Sequence, residues 1–395
     1  MLPFSKPESV GMCPVRTAKI KSVFQEEVNL ERLPGAVFMV ARHGQVALFD
    51  SVGVRDPKLP SPIQLDDIFR IYSMTKPLVS VAAMILMEQG KLILSDSVSK
   101  YLPEFSNQLV SNVVDGQEVI QAVKRKSTIQ DLLLHTSGIP YEYTGSHPVQ
   151  KIYNQIRIGA RTRSSGELSQ AIAEIPLMYE PGTVWEYGRS TDVLGRVIEV
   201  ISGQKLSEFL KNSIFVPLGM KDTSFVVPAK DHHRIVQPFE RDPEGGLQMK
   251  IHDVREIVAM ESGGGGLVST APDYAHFLQF MLNRGELNGC RLLGPHTVDF
   301  MTCDHLVDIP VQTKACRDLL PLGHGFGLGF AVRIKKGVAA VPTSVGAYFW
   351  SGLAGTTFFV DPAQDMFAIL MLQAPNQREY YRQLFRNLVY SSMLE

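Results

Sequence analysis

The pattern of apolar and polar positions predicts strands near both ends of the chain and mostly helices between them. Residues 15–30 place apolar side chains at helical spacing, which predicts a first helix. Residues 35–50 follow as two predicted strands joined by a turn at His43-Gly44. After a loop predicted over residues 53–67, the chain enters a long apolar segment that begins near Ser73.

A second group of strands is predicted near the end of the chain. Its members are short apolar or aromatic runs at 325–334, 347–350, 356–360 and 365–373. The last two runs are separated by a few turn-forming residues, which predicts an antiparallel pair. A final helix is predicted over residues 378–394.

Neither strand group is large enough to be stable alone. Joined as one antiparallel sheet, with the first and last helices covering a face, they predict one lobe of an α+β fold, formed by residues 1–72 and 285–395. Residues 73–284 are then an inserted, mainly helical second lobe, in which the polar segment 226–260 is predicted to be a surface excursion. Pockets commonly lie between two such units, so the junction is the expected place for a functional site.

The most apolar predicted helix begins at this junction. Between positions 79 and 87 only Ser80 is polar, so the helix is expected to be buried nearly all round. Pro77 fits only in a first turn, which places the helix start near Ser73. Gly90 is expected just past the helix end.

Ser73 and Lys76 lie one turn apart on the same face of this helix. A serine hydroxyl is a weak nucleophile until a neighbouring group takes its proton. Burial lowers the pKa of a lysine because the charged form loses its hydration, so a buried Lys76 could take that proton. The positive end of the helix dipole would also stabilise an oxyanion at Ser73. The alternative for this pair is a helix-capping serine beside a solvated lysine.

The Ser-x-x-Lys spacing occurs three times in the chain and is therefore weak by itself. Ser97 and Lys100 lie in a polar stretch that predicts a solvated turn. Ser202 precedes Gly203 at a predicted helix C-terminus. Only Ser73 heads a predicted buried helix.

Length and composition limit the function classes. The 395 residues are 45% hydrophobic and 20% charged, which predicts a soluble globular protein of about two domains. A net charge of −1 gives no indication of a nucleic-acid or anionic-membrane partner. The chain shows no membrane-spanning apolar run and no signal-peptide pattern at its start, which predicts a cytoplasmic location.

The residues that commonly hold metals and cofactors show no characteristic spacing. The four cysteines have no paired spacing and are interpreted as reduced thiols. His-Glu-x-x-His is absent, and the glycine run 263–266 lacks the lysine of a phosphate-binding loop. We therefore predict neither a metal site nor a cofactor.

Five short motifs follow one another along the chain, at 72–77, 131–138, 187–195, 264–270 and 350–352. In this order they resemble the motifs of the serine β-lactamase and penicillin-binding-protein superfamily, on its class C side. Within that superfamily they are most similar to the family VIII carboxylesterases. The predicted sheet and its flanking helices agree with the fold of that superfamily.

The resemblance implies a role for each matching residue. Ser73 would attack an ester carbonyl, and Lys76 would accept the proton or keep a second base ionised. Tyr187 would pass the proton to the leaving group and activate the deacylating water. Because the pKa of tyrosine is about 10, it needs an adjacent ammonium to act near neutrality. The backbone N–H groups of Ser73 and Leu353 would form the oxyanion hole.

Two departures from the lactamase pattern bear on the substrate. No Lys-Thr-Gly occurs in the chain, and its place is taken by Trp350-Ser351-Gly352. Arg189 stands where the lactamase motif after the tyrosine has asparagine. Replacing a cation by an indole favours a neutral, apolar substrate, although Arg189 could supply a cation from the opposite wall. The predicted substrate-binding residues are Trp350, Ser351, Gly352, Arg189, Tyr72 and His135.

The resulting prediction is a carboxylesterase that acts on short-chain or aryl esters through a Ser73 acyl-enzyme. In the same fold, the alternatives are a β-lactamase, a peptidase acting on D-amino-acid peptides, and an acyltransferase. A catalytically silent binding protein is a further alternative, which the intact Ser73, Lys76 and Tyr187 disfavour. A conventional α/β-hydrolase is disfavoured because Gly-x-Ser-x-Gly is absent. The expected partner is a small ester, with no nucleic acid and no membrane.

Overall fold

The computed structural model describes residues 2–394, and a large antiparallel sheet organises them. The strands in chain order are β1 (Gly35–Arg42), β2 (Gln45–Asp56), β3 (Leu59–Pro62), β4 (Phe69–Arg70), β5 (Leu109–Val114), β6 (Gln117–Ala122), β7 (Val268–Ser269), β8 (Glu286–Leu287), β9 (Cys290–Arg291), β10 (His324–Phe326), β11 (Ala331–Arg333), β12 (Tyr348–Ser351), β13 (Thr357–Asp361) and β14 (Met366–Leu372). Among the described residues, eight strands form the main sheet, in the order β10-β11-β12-β13-β14-β1-β2-β3.

The two ends of the chain meet in the middle of this sheet. β1 pairs antiparallel with β14 from Ala36 opposite Leu372 to Arg42 opposite Met366. Both strands are buried along their whole length, as expected for central strands covered on two faces. The predicted union of early and late strands in one antiparallel sheet is therefore confirmed.

Helices cover both faces of the sheet. The helices in chain order are α1 (Pro14–Asn29), α2 (Thr75–Glu88), α3 (Ile129–Leu134), α4 (Pro148–Gln155), α5 (Ser165–Ala173), α6 (Ser190–Ser202), α7 (Leu206–Leu210), α8 (Val216–Leu218), α9 (Ala271–Leu282), α10 (Pro295–Met301), α11 (Lys314–Leu319) and α12 (Arg378–Ser391). α1 and α12 pack on one face, where Phe24 of α1 contacts both Phe38 of β1 and Phe385 of α12. α2 and α9 pack on the opposite face in a larger core that includes Val37 and Ile369.

α2 begins and ends where the sequence predicts. A 3-10 turn over Tyr72–Met74 leads directly into the helix. Gly90, just past its end, has a φ of 69°, a left-handed conformation that glycine adopts without strain. Every side chain of α2 from Thr75 to Leu86 is buried. The helix is thus fixed by packing on all sides, which holds its N-terminal turn in place.

Several boundaries differ from the prediction. The loop predicted over 53–67 contains the end of β2 and all of β3. The single strand predicted over 325–334 is instead the β10–β11 hairpin. Gly329 turns the chain there with a φ of 98°. The exposed β5–β6 hairpin was not predicted, and it turns at Asp115-Gly116 with both φ angles positive.

Residues 226–260 lie mostly at the surface, as predicted, but a few buried apolar side chains anchor the segment. Apart from a 3-10 turn at Ala229–Arg234 the segment is irregular, but Val227, Val236 and Val254 are buried. These apolar residues are spaced too irregularly to produce a helix or strand pattern. The segment packs beside the 3-10 turn that carries Ser73, since the His252 N–H donates to the Tyr72 hydroxyl at 2.8 Å.

Two further predictions concern the molecule as a whole. The lobe boundaries near 73 and 285 remain a prediction, and α9, which lies within the predicted second lobe, packs against β14 of the main sheet. Across residues 2–394, none of the helices combines the length and apolar character needed to cross a membrane.

Candidate active site

Ser73 lies at the N-terminal end of α2, in the 3-10 turn. It is partly exposed, whereas its neighbours Ile71, Tyr72 and Met74 are buried. Tyr72 has a φ of 43°, a left-handed conformation that is strained for a bulky residue. Its hydroxyl is held by the backbone of His252, and its ring lies 5.3 Å from the His252 ring. The turn therefore leaves Ser73 accessible from outside, although the residues on either side of it are buried.

Lys76 is buried beneath Ser73, with 1% of its surface exposed. Its Nζ lies 3.4 Å from Ser73 Oγ, 3.0 Å from the Tyr141 hydroxyl and 2.7 Å from the Gly264 carbonyl oxygen. Burial lowers the pKa of Lys76 to about 7, and the nearby Asp192 carboxylate only partly opposes this effect. A large fraction of Lys76 is therefore a neutral amine near neutral pH, as expected for a lysine that accepts a proton.

The Gly264 carbonyl is fixed by a network that the sequence did not predict. Asp192, in the first turn of α6, accepts hydrogen bonds from Ser262 Oγ at 2.6 Å and Gly264 N at 2.9 Å. Its other oxygen is 3.2 Å from Arg189, which also pairs with Glu142 at 2.6 Å. The chain of contacts thus runs from a buried ion pair through the glycine turn to the Lys76 amine.

Tyr187 lies on the other side of Lys76. The Lys76 Nζ is 4.5 Å from the centre of the Tyr187 ring, and the Trp350 indole N–H donates to the Tyr187 hydroxyl at 3.3 Å. Burial raises the pKa of Tyr187, and hydrogen bonds with Ser73 and Trp350 only partly oppose this. The expected lowering of the tyrosine pKa by an adjacent ammonium is therefore not seen, because desolvation is the larger effect.

Two aromatic neighbours complete this side of the site. Tyr141 was not singled out from the sequence; its hydroxyl contacts Lys76, and burial raises its pKa well above the usual range. His135 was predicted to bind substrate, but it is buried behind Tyr187, 4.7 Å between ring centres. Burial and the charge of Lys76 lower the pKa of His135 well below its usual value. Its predicted substrate contact is corrected to a supporting contact with Tyr187.

The motif 350–352 closes the site from the sheet. Gly352 must be glycine, because a Cβ there would lie 2.3 Å from the Ile71 carbonyl oxygen. The Gly352 N–H donates a hydrogen bond to the Thr356 carbonyl oxygen at 2.8 Å. In contrast, no acceptor within residues 2–394 receives the Leu353 N–H. The role of that N–H in an oxyanion hole stays a prediction from the family resemblance.

Two cavities meet at Ser73, and both are lined by Ser73, Tyr143 and Leu353. The smaller cavity, of about 210 Å³, is lined by Tyr72 and Arg189 from the predicted substrate-binding residues. The larger cavity, of about 610 Å³, is lined by Trp350 and Ser351 from the same set. Gly352 and His135 line neither cavity.

Two groups of cavity residues were missed by the sequence reasoning. Val254, Val258 and Met260 of the irregular segment line the smaller cavity, and their irregular spacing gave no signal. Arginines of α12 line the larger cavity. Their spacing of four residues was visible in the sequence, but the direction of that helix face was not.

The other Ser-x-x-Lys pairs lie where the sequence predicts. Lys100 is exposed and paired with Asp96 at 2.7 Å, and Ser97 precedes a 3-10 turn. Ser202 ends α6, and Gly203 follows with a φ of 69°. Neither pair has a buried amine beneath its serine.

This geometry can be compared with known proteins. The Beta-lactamase family profile matches residues 20–389. The chain belongs to the beta-lactamase family. The resemblance predicted from the five motifs is thereby confirmed.

Relatives in this family include proteins named as esterases. Esterase EstB of Burkholderia gladioli is 31% identical over 380 residues, covering 90% of this chain and 89% of EstB. Protein Rv1367c of Mycobacterium tuberculosis is 31% identical over 347 residues, covering 86% of each chain. The solved structure of EstCE1, described as a hydrolase with promiscuous acyltransferase activity, superposes with a TM-score of 0.79. It is 28% identical and covers 95% of this chain and 98% of its own.

Proposed function

We propose that this beta-lactamase family protein is a carboxylesterase that forms an acyl-enzyme on Ser73. The observation that carries the proposal is the fully buried Lys76 amine, 3.4 Å from Ser73 Oγ and with a pKa lowered to about 7. A capping serine beside a solvated lysine would have neither the burial nor the shifted pKa. The esterase name of EstB, a relative at 31% identity, supports the same chemistry.

In the acylation step, the Ser73 oxygen attacks the ester carbonyl carbon while its proton passes to neutral Lys76. The carbonyl oxygen becomes an oxyanion, which the N–H groups of Ser73 and Leu353 would stabilise together with the N-terminus of α2. The C–O bond to the alcohol then breaks, and the alkoxide takes the proton that Lys76 received from Ser73. Tyr187 is suited to relay that proton because its raised pKa keeps the hydroxyl protonated and the Trp350 indole fixes its oxygen.

In the deacylation step, water attacks the acyl-enzyme carbonyl and gives up a proton through Tyr187 to Lys76. The tetrahedral intermediate then releases Ser73 Oγ, which regains a proton, and the carboxylic acid leaves. Two contacts support this pairing: the Lys76 amine lies 3.4 Å from Ser73 Oγ, and the Tyr187 hydroxyl hydrogen-bonds with Ser73. No metal is required.

Short-chain or aryl esters are the proposed substrates, and β-lactams are the disfavoured ones. Trp350 stands in the place of the lactamase lysine and presents an indole beside Tyr187. Arg189 does line the smaller cavity, but Glu142 and Asp192 neutralise its charge. Neither residue therefore supplies a free cation for a β-lactam carboxylate.

Active-site labelling tests the proposal. The protein is treated with a fluorophosphonate, and the adduct is located by peptide mass spectrometry in parallel with p-nitrophenyl butyrate and chromogenic cephalosporin assays. We expect labelling at Ser73, ester turnover lost in Ser73→Ala, and little cephalosporin turnover. Ser97→Ala and Ser202→Ala are matched controls from the other two Ser-x-x-Lys pairs and should keep full activity.

Other results would contradict the proposal. An adduct at Ser97 or Ser202, or ester turnover that survives Ser73→Ala, would exclude Ser73 as the nucleophile. Faster turnover of the cephalosporin than of the ester would favour the β-lactamase alternative.

Acyl transfer to an alcohol is the second candidate function. It is favoured by the two cavities that meet at Ser73, since one could hold the acyl chain and the other an acceptor. The printed description of EstCE1 names such an activity for that relative. Adding an alcohol and measuring the ratio of new ester to free acid separates transfer from hydrolysis.

A further inference from the structure

The larger cavity has a basic wall that the chemistry at Ser73 does not use. Arg378, Arg382 and Arg386 lie four residues apart on one face of α12, and all three line the cavity. Arg317 lines it from α11. Because no step of the proposed ester hydrolysis needs these cations, their placement requires another reason.

Most charges around this wall are already paired. Glu379 contacts Arg382 at 2.5 Å and Arg378 at 3.5 Å, and Arg382 also donates to the Gly352 carbonyl. Asp318, the other carboxylate lining the cavity, is exposed and bonded to Lys314 at 2.7 Å.

His324 also lines the cavity and adds no charge near neutral pH. Burial, with the nearby Arg386, lowers its pKa to about 4. Arginines therefore outnumber the carboxylates around the cavity.

Arg386 is the buried arginine of this wall without a hydrogen-bond or ion-pair partner among the described residues. Arg317 makes no ion pair either, but it is exposed and donates to the Gln312 carbonyl. Only 7% of the Arg386 surface is exposed, and its guanidinium lies 4.3 Å from the Phe349 ring centre and 5.4 Å from that of Phe359. Within residues 2–394 it makes no ion pair, and its buried Nε has no hydrogen-bond partner. Leaving a buried guanidinium without a partner is costly, even with aromatic rings against its faces.

Arg386 contacts a different part of the cavity wall from the part beside Tyr187. Its ring partner Phe349 is the chain neighbour of Trp350 in β12, and both side chains line the cavity. Trp350 contacts Tyr187 near Ser73, whereas Phe349 and Arg386 belong to the α12 side. The cavity thus joins an apolar region at the reacting centre to a cationic region beyond it.

We infer that the α12 end of the larger cavity binds a carboxylate, so the substrates are esters that carry a free carboxylate at the end remote from the scissile bond. This inference rests on the proposed esterase function. The two oxygens of a carboxylate match the paired N–H groups of a guanidinium. They would supply Arg386 with a hydrogen-bond acceptor and a negative charge, neither of which it has among the described residues. It also amends the expectation of a wholly neutral substrate, since Trp350 walls only the part near Ser73.

Matched ester pairs test the inference. One series consists of p-nitrophenyl hydrogen esters of glutaric to suberic acid, each paired with its methyl-capped neutral counterpart. A second pair, 4-butyryloxybenzoate and its methyl ester, places the carboxylate on the alcohol side. We expect one anionic series to exceed its neutral partners in kcat/KM by about tenfold or more, as for one charge-assisted pair.

Variants at Arg386 show whether this residue causes the preference for anionic esters. Arg386→Met should reduce the ratio of anionic-ester to neutral-ester kcat/KM by about tenfold or more, and Arg386→Lys should restore part of that ratio. Arg16→Met is the control, because Arg16 donates to Ser391 at the end of α12 from outside the cavity. If Arg386→Met does not fold, inhibition of wild-type turnover by adipate and by dimethyl adipate gives the same comparison, with adipate expected to inhibit more strongly.

The outcomes separate this inference from the proposed function. A wild-type protein that shows no Ser73-dependent turnover of any ester would contradict the proposed esterase function itself. Normal turnover of neutral esters, with no anionic preference or with a ratio that Arg386→Met leaves unchanged, would overturn only the carboxylate site. Equal inhibition by adipate and dimethyl adipate would also overturn it. A p-nitrophenyl ester ending in a phosphate monoester that exceeds its carboxylate counterpart would overturn the assignment to carboxylate.

Discussion

At the scale of single residues, the decisive feature is the protonation state of Lys76. Its side chain is enclosed, and its three polar contacts are two hydroxyls and one carbonyl rather than a carboxylate. Without an ion-pair partner in contact, desolvation outweighs the more distant charge of Asp192, so the pKa falls. For Tyr187 the same desolvation acts in the opposite direction and raises the pKa. In the proposed mechanism the two groups therefore differ in role: Lys76 can accept a proton near neutral pH, whereas Tyr187 stays protonated and can relay one.

The pH dependence of ester hydrolysis should report this lysine. Because the pKa of Lys76 is lowered to about 7, the amine is neutral above that pH and protonated below it. We expect kcat/KM to be nearly constant above about pH 7.5 and to fall about tenfold per pH unit below about 6.5. The measurement is a pH–rate profile with a neutral p-nitrophenyl ester.

Variants show whether the inflection belongs to Lys76. Lys76→Arg keeps a permanent charge and should be nearly inactive at every pH. Tyr187→Phe should lower the plateau by orders of magnitude but keep the inflection near pH 7. A wild-type profile that stays flat down to pH 5, or that rises only near pH 10, would be incompatible with Lys76 as the proton acceptor.

At the scale of elements, the end of β12 is fitted closely against the turn that carries Ser73. A Cβ on Gly352 would lie 2.3 Å from both the Ile71 carbonyl oxygen and Thr356 Oγ1. One of these neighbours is backbone immediately before the Ser73 turn, so it cannot move without displacing the nucleophile. The same contact fixes Leu353, whose N–H is the proposed second oxyanion donor.

Gly352→Ala should therefore damage both stability and activity. We expect a loss of about 2 kcal/mol or more in the free energy of unfolding, because a methyl group is forced into occupied space. Ester kcat should fall further than KM rises, since the Leu353 N–H is displaced from the oxyanion. Urea denaturation and steady-state kinetics measure the two effects.

A second glycine provides the control for this substitution. Gly166 lies in α5, and a Cβ there would meet only Arg196 at 3.7 Å, an ordinary contact. Gly166→Ala should leave activity unchanged and stabilise the protein by up to about 1 kcal/mol. Equal stability of Gly352→Ala and wild type would show that the motif is not tightly packed against Ile71.

At the scale of the whole molecule, the sheet is completed by joining the two ends of the chain. Besides the β1–β14 pairing, Cys13 N donates to the Ser392 carbonyl at 2.7 Å, and Leu394 N donates to the Gly11 carbonyl at 3.0 Å. Residues 11–13 and 392–394 are therefore neighbours. The helical middle of the chain leaves this sheet and returns to it.

A circular permutant tests this organisation and the predicted lobe boundaries. Residues 395 and 1 are joined by a short flexible linker, and new ends are opened at Asp115-Gly116 in the exposed β5–β6 hairpin. We expect a folded protein with Ser73-dependent ester turnover within about tenfold of wild type, because no buried backbone contact is cut. Circular dichroism and ester kinetics are the measurements.

A second permutant gives the contrast. Opening the chain instead between Met39 and Val40 cuts β1 in the centre of the sheet and should prevent folding. If the first permutant fails to fold while the second folds, the sheet is not the unit that joins the two chain ends.

The sequence by itself determined the local features of this protein. Pro77 and the apolar run after it set the start and burial of α2, and the three-residue spacing placed Ser73 and Lys76 on one face. Apolar runs identified most strands of the main sheet, and the family resemblance singled out the motif 350–352 at the end of β12. These features depend on residues close together in the chain, so spacing and residue type suffice.

Only the tertiary structure decided which distant groups surround that local frame. Lys76 meets Tyr141 and the Gly264 carbonyl, which lie 65 and 188 positions away in the chain. The buried valines of segment 226–260 gave no periodic pattern, and the arginine face of α12 could as well have faced solvent. Contacts of this kind follow from how whole elements pack, and their energies depend on burial that no local spacing encodes. For the same physical reason the lowered pKa of Lys76, the raised pKa of Tyr187 and the unpaired charge of Arg386 emerged only with the fold.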